Sequence, residues 1–291
     1  MYMVKYGHRD LSKSGWTDIR TDIRRDIKTY RVTYINKEVK MKEPKFIAFS
    51  TQKGGAGKTT LTVLAASYLH YVKGLNIGVI DCDFPQFSIM DMRKRDMKNI
   101  EGNSLLCRQA YDMFKKLGKK AYPVVESRPE DALDVARQMM EKQEFDIIFF
   151  DLPGTLNNKG AVNTIAHMDY VFCPIVADRV VMQSSLTYAK LVNDNMVTTG
   201  QTNIKGFYFV WNMVDAREKT RLYDIYNKVI NELGLTALNT EVPDSKRFRR
   251  EGDTEDKRPL FRSTMFPSDR TLIKGSCIRE LTDEILDIIK L

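Results

Sequence analysis

Cysteine is scarce in this chain and never arranged for chemistry. Its four cysteines, Cys82, Cys107, Cys173 and Cys277, are scattered through 291 residues. None forms a Cys-x-x-Cys pair or has a histidine at ligand spacing, which excludes a disulfide framework or a zinc site as the organising device. Reduced, buried thiols are the expectation. No run of 18 apolar residues occurs, so no membrane-spanning helix is expected. There is no internal repeat and no low-complexity tract. The first residues are polar and charged rather than signal-like, and a cytoplasmic protein is expected.

What is present points to a folded, basic protein. Hydrophobic residues make up 43% of the chain, enough for a sizeable core, and the length suits one large α/β domain with an extension. The formal net charge is +8, which suits a polyanionic partner such as nucleic acid or serves solubility alone.

Residues 1–43 stand apart, with eleven Lys/Arg against six Asp/Glu and few large apolar side chains. Within them Ile19, Ile23 and Ile27 recur every fourth residue among alternating Asp and Arg, the pattern of a short amphipathic helix. That stripe suits packing on the main domain, or a partner, a sister subunit or DNA. Residues 30–35 then alternate like a strand. From residue 44 to 291 strand-like runs at 46–50, 77–81, 146–151, 170–176 and 206–212 alternate with helical stretches near 58–72, 104–117, 130–142, 181–197, 218–233 and 277–290. That alternation predicts a mostly parallel twisted sheet with helices on both faces, and ligands at the carboxyl ends of its strands.

The candidate chemistry lies at those ends. Lys53-Gly54-Gly55-Ala56-Gly57-Lys58-Thr59-Thr60 follows an apolar strand and opens a helix, the context of a phosphate-binding P-loop. Its backbone N–H groups and the helix N-terminus suit phosphates. Lys58 is expected at the β- and γ-phosphates, Thr59 on Mg²⁺, and Thr60 at the α-phosphate. The usual first glycine of such loops is replaced by Gln52, beside a second lysine, Lys53. Asp81 and Asp83 leave the next strand towards the phosphates, placed to order a water or the metal's hydration shell; a capped turn is the plainer alternative. The strand ending at Asp151, followed by Leu152-Pro153-Gly154, reads as a Walker B element, whose acid holds Mg²⁺ directly or through water. Asn212, at another strand end, suits an adenine edge; Asn212-x-x-Asp215 also resembles the guanine reader of GTPases, with Met213 where their lysine stands.

These pieces together resemble the deviant Walker A ATPases of the ParA/MinD group, and within it the ParA-type partition ATPases. The resemblance rests on Gln52 to Thr60, on Asp81-Cys82-Asp83-Phe84-Pro85-Gln86, and on Phe145 to Gly154. Cys173-Pro174-Ile175-Val176 and Asn212-Met213-Val214-Asp215 also fit, so that it spans roughly residues 44–291. It implies an α/β P-loop NTPase, ATP and Mg²⁺ as ligands, and an ATP-sandwich homodimer in which Lys53 reaches the partner's nucleotide. It implies that Asp83 positions the hydrolytic water, although Phe84 is inserted before Pro85 relative to the family's Asp-x-Asp-Pro-Gln.

The resemblance further implies non-specific DNA binding on the nucleoid, a centromere-binding ParB-like partner, and partition of a plasmid or mobile element. Lys246, Arg247, Arg249 and Arg250, with Lys257, Arg258 and Arg262 following, form the expected polyanion surface, as phosphate contacts need cations on one face. A solvated loop or an ion network is the alternative for that cluster. The alternative function is an ATP-switched adaptor, or a MinD-like positioning protein acting through a protein partner. A membrane-binding C-terminus is disfavoured, because the last helix carries a mostly acidic polar face.

Overall fold

The computed structural model describes residues 43–52, 54–154, 159–193, 202–215, 217, 221–250 and 260–291. The helix and strand expected within residues 1–42, and Lys53, Lys257 and Arg258, lie outside the described residues.

The sheet has seven strands, β1 (Lys45–Phe49), β2 (Ile77–Asp81), β3 (Val124–Glu126), β4 (Ile147–Asp151), β5 (Tyr170–Ile175), β6 (Gly206–Trp211) and β7 (Thr236–Ala237), in spatial order β3-β2-β4-β1-β5-β6-β7. Every pairing is parallel. β1, β2 and β4 are almost wholly buried. Strands covered on both faces read as continuous apolar runs, as Ile147-Ile148-Phe149-Phe150 does.

The helices are α1 (Lys58–Tyr71), α2 (Ser88–Gly102), α3 (Ser104–Leu117), α4 (Ala132–Met140), α5 (Lys159–Ala166), α6 (Arg179–Val192), α7 (Arg221–Glu232) and α8 (Ile278–Ile289). Alternate side chains along the central strands feed two separate cores. Ala48, Ile80, Ile148 and Phe150 pack with residues of α4 to α7, and Ile47, Phe49, Val79, Ile147 and Phe149 with residues of α1, α2 and α8. The sheet is thus covered on both faces, as expected.

The five expected strands and six expected helices are all present, with ends shifted by a few residues. The additions are β3, β7, α2, α5 and a 3₁₀ turn at Lys246–Arg249. α2 escapes a periodicity reading because only two of its four buried positions, Ile89 and Met92, are apolar; the others are Asp96 and Asn99. The last helix, α8, packs against α1, burying Ile278, Leu281, Ile285 and Ile289. Its apolar stripe therefore faces the protein's own core. Among the described residues no helix is long and apolar enough to cross a membrane.

Candidate nucleotide site

The fold brings three strand ends to one place. In the β2–β4 register Asp81 lies directly beside Asp151, and β4 also borders β1, whose outgoing loop runs into α1. Above these ends opens a cavity of about 570 Å³, lined by the Gly54–Thr60 loop, Asp83, Gln86, Gly154, Asn212 and the 243–249 segment.

The loop is held by a few specific contacts. Gly57 takes φ +93° at the N-cap of α1, a conformation that side-chain-bearing residues avoid. A Cβ there would stand 2.4 Å from Asn212 Nδ2, which donates to Ala56 O at 2.8 Å. Asn212, 6% exposed, therefore props the loop from beneath, and this use of its amide was not expected from the sequence. Asp215 is gripped by Arg217 through two side-chain hydrogen bonds and one from the Arg217 amide. Arg217 thereby holds that carboxyl down at about 2.

Two penalties meet at Gly57, left-handed strain and a clash with Asn212. Gly57→Ala is expected to cost about 1–3 kcal/mol of stability and to lose most nucleotide binding. Thermal unfolding and calorimetric ATP titration check this; an intact affinity would show that the loop tolerates displacement.

Lys58 reaches over the loop towards β4. A Cβ on Gly154 would lie 3.2 Å from Lys58 Nζ, 3.6 Å from Gln52 O and 3.8 Å from Gly54 N. A bare backbone at 154 leaves the space for that ammonium. Thr59 Oγ1 donates to Asp151 Oδ2 at 2.7 Å. Asp151 is fully buried, and its Oδ1 has no hydrogen-bond partner among the described residues. Burial pushes this carboxyl up to about 7, with the Thr59 hydrogen bond opposing and neighbouring Asp81 adding to the rise.

Among the described residues no cluster of three or more His, Cys, Asp or Glu could by itself hold a metal ion. An orphaned carboxylate oxygen whose neighbour is bonded to Thr59, which lines the cavity, still fits Mg²⁺, which takes one or two protein ligands and completes its shell with substrate oxygens and water.

Asp81 serves a structural end. Its Oδ2 accepts from the Ile89 and Met90 amides at 2.9 Å each, and its Oδ1 from the Asp83 amide at 3.4 Å. Phe87 occupies the N-cap position of α2 and has no side-chain acceptor, so Asp81 caps that helix from across the turn. Burial raises its carboxyl despite those amides. Of the two readings open in the sequence, the capped turn describes the contacts seen. Asp83 lines the cavity, and the Asp83 carbonyl accepts from the Gln86 and Phe87 amides. The inserted Phe84 is 48% exposed, with the Arg128 guanidinium 4.8 Å from its ring centre.

Among the described residues, two cations of the expected cluster are committed to partners within the fold. Arg247 turns inwards, donating to Leu272 O and Lys274 O at 2.7 and 2.6 Å and to Ser245 Oγ at 3.0 Å. Lys246, Arg249 and Arg250 are exposed, and Arg249 also lines the nucleotide cavity. Arg262, expected with this cluster, donates instead to Thr60 Oγ1 at 2.7 Å. One cation of the expected run is thus a clamp and two face the phosphate cavity. Sequence spacing could not show this, because it depends on how the 243–250 and 260–264 segments fold back over α1 and α2. All four cysteines are free; Cys82 and Cys173 are buried as expected, whereas Cys107 is exposed and Cys277 half-buried, and burial pushes the Cys173 thiol up to about 12.

A parallel sheet with a glycine loop leading into α1, a lysine over that loop and a Thr–Asp pair at its base defines a P-loop nucleotide-binding protein. A family model described as the CobQ/CobB/MinD/ParA nucleotide binding domain matches residues 47–257, and the chain belongs to that family. No curated protein sequence matches it. Solved structures share its fold. A plasmid partition protein of Borrelia burgdorferi B31 bound to AMPPNP has TM-score 0.52 at 16% identity, covering 85% of this chain and 98% of that one. The cell division ATPase MinD of Pyrococcus furiosus gives 0.55 at 17%, covering 84% and 100%. The septum site-determining protein MinD of Pyrococcus horikoshii OT3 with Mg-ADP gives 0.52 at 15%, covering 85% and 98%.

Proposed function

We propose that this protein is a Mg²⁺-dependent ATPase that dimerises on ATP, binds DNA without sequence preference, and drives partition or maintenance of a plasmid or mobile element. The observation that carries the nucleotide part is the cradle in which Lys58 lies against Gly154 and Thr59 is bonded to Asp151. Gly54, Gly55, Ala56, Gly57, Thr59 and Thr60 supply the phosphate contacts, Lys58 the charge at the β- and γ-phosphates. Thr59 and Asp151, with Asp81 beside them, would hold Mg²⁺, which would supply charge neutralisation at the phosphoryl groups. Asp83, on the cavity wall, positions the attacking water. Lys53 completes the partner subunit's site, so that a second cation meets the phosphates only in the dimer. Adenine lies near Asn212, whose prop under the loop then links base and phosphate ends.

Support for the DNA part is the net charge of +8, the exposed Lys246 and Arg250, and family membership. A ParB-like protein is the proposed stimulating partner, and the nucleoid the proposed location. The apolar face of α8 lies against α1, which weighs against a membrane-binding C-terminal helix.

Sizing the full chain with no nucleotide, ADP and ATP, with and without arbitrary duplex DNA, tests the scheme. A dimer only with ATP is expected, and DNA retention only of that dimer. The retention should fall steeply between 50 and 200 mM salt, roughly 10-fold or more for even a few phosphate contacts. An ATP dimer that ignores DNA would instead indicate an adaptor acting through a protein partner.

A further inference from the structure

Arg262 falls, by sequence, in a run of cations suited to a polyanion surface, but its side chain enters the nucleotide cavity. Its Nη1 donates to Thr60 Oγ1 at 2.7 Å, and the residue lines the cavity together with Lys58 and Thr59. Thr60 belongs to the first turn of α1, at the end of the cradle expected to hold the α-phosphate. A guanidinium beside it is a fixed positive charge, delivered from 202 positions downstream.

The segment that delivers it is anchored on three sides. Ser263 Oγ, Thr264 N and Thr264 Oγ1 all donate to Oδ2 of buried Asp96 on α2, at 3.0, 2.7 and 3.0 Å. The Ser263 carbonyl accepts from Ser67 Oγ and the Thr264 carbonyl from the Tyr71 hydroxyl, both on α1. Fully buried Phe261 meets Phe248 edge-on at 5.2 Å, and the Arg262 amide donates to Arg250 O at 3.0 Å. A guanidinium carried on so fixed a segment loses little freedom when an anion arrives, which is how a preorganised site gains affinity.

Two lesser roles fit less well. A DNA contact would need the guanidinium on the outer surface, whereas here it is half-buried and bonded to a residue of the P-loop helix. A purely structural clamp on a threonine hydroxyl needs only a neutral donor. What arginine adds is a charge and a planar fork matched to phosphate oxygens.

We propose that Arg262 is a nucleotide-binding residue whose guanidinium takes the α-phosphate end of the chain cradled by the Gly54–Thr60 loop. The proposal rests on the ATP-binding reading above. Lys58 is assigned to the β- and γ-phosphates, which distinguish nucleotides of different length. The α-phosphate is common to ATP and ADP, so Arg262 should strengthen both equally.

The test is calorimetric titration of the full chain with AMPPNP and with ADP, each with Mg²⁺, for wild type, Arg262→Gln and Arg262→Lys. Arg262→Gln is expected to weaken both nucleotides by about 10- to 100-fold, the range for a charge-assisted hydrogen bond, with their ratio unchanged. Arg262→Lys keeps the charge without the fork, and should lose only about 3- to 10-fold. Thermal unfolding of the nucleotide-free variants shows whether each is folded; if Arg262→Gln is not, the graded loss in Arg262→Lys carries the test. Unchanged affinity in either folded variant would overturn the proposal. So would a Gln variant that loses DNA binding while holding nucleotide normally. A wild-type chain that binds neither nucleotide would instead remove the reading on which the proposal rests.

Discussion

Lys58→Ala is expected to lose ATP binding almost completely. The ammonium is placed where the loop backbone, Gly154 and the end of β4 converge, with Gly154 leaving no side chain in its way. Removing one partner of a desolvated, hydrogen-bonded charge pair costs about 2–5 kcal/mol, or roughly 30- to 5,000-fold in affinity. The upper part of that range applies, because a triphosphate leaves several negative charges facing the vacated position. The nucleotide-free protein should unfold within a few degrees of wild type, since Lys58 serves the ligand rather than the core. ATP should raise the wild-type melting temperature and leave the variant's unmoved. A variant that still binds ATP within a few fold would mean that the loop amides carry the site alone.

That prediction could be written from sequence, because the P-loop is local. The strand before it, the glycines and the helix after it are contiguous, so residues 46–71 state their own geometry. The strand-end position of Asp151 was legible for the same reason, as an apolar run closing on an acid. Contacts made by residues distant in the chain were not. Asn212 carries a strand-end signature that suits a base, but its amide is bonded to Ala56, a pairing set by how β6 lies across the sheet from β1. Asp81 reads from the sequence either as a site carboxylate or as part of a capped turn, and what the sequence leaves out is that it caps α2 from across the turn because Phe87 cannot cap.

The cations from 246 to 262 show the limit most clearly. Clustering in sequence suggested one charged face. In the structure Arg247 and Arg262 point to different partners within the fold, and among the described residues of the run Lys246, Arg249 and Arg250 are the exposed cations. Charge patterning reads which residues are solvated, whereas the destination of each long side chain depends on the turn that carries it.

Asp151 should make the protein less stable as pH rises, and its removal should separate stability from activity. In an unfolded chain an aspartate ionises near 3.9; here burial holds the carboxyl at about 7. Between those values the folded protein binds a proton that the unfolded chain does not. Stability therefore falls as pH rises through this window and is level above it. Asp151→Asn keeps an acceptor for Thr59 and has no proton to lose. Relative to that variant, wild type should lose on the order of 3–4 kcal/mol between about pH 4 and pH 7.5. Denaturant titrations of both proteins across that range check it, and a flat difference would place the ionisation of Asp151 below the window.

The position nonetheless requires a carboxylate if it is to hold Mg²⁺. Mg²⁺ with ATP should therefore stabilise wild type at pH 7.5 and restore what burial of the charge removed. Asp151→Asn should show little Mg²⁺-dependent stabilisation, with turnover lower by about 100-fold or more, as expected when charge neutralisation at the transferred phosphoryl group is lost. A buried acid with one oxygen bonded to Thr59 and the other without a partner among the described residues weakens the fold once it is ionised. At neutral pH and above it is a cost that an occupied site would remove.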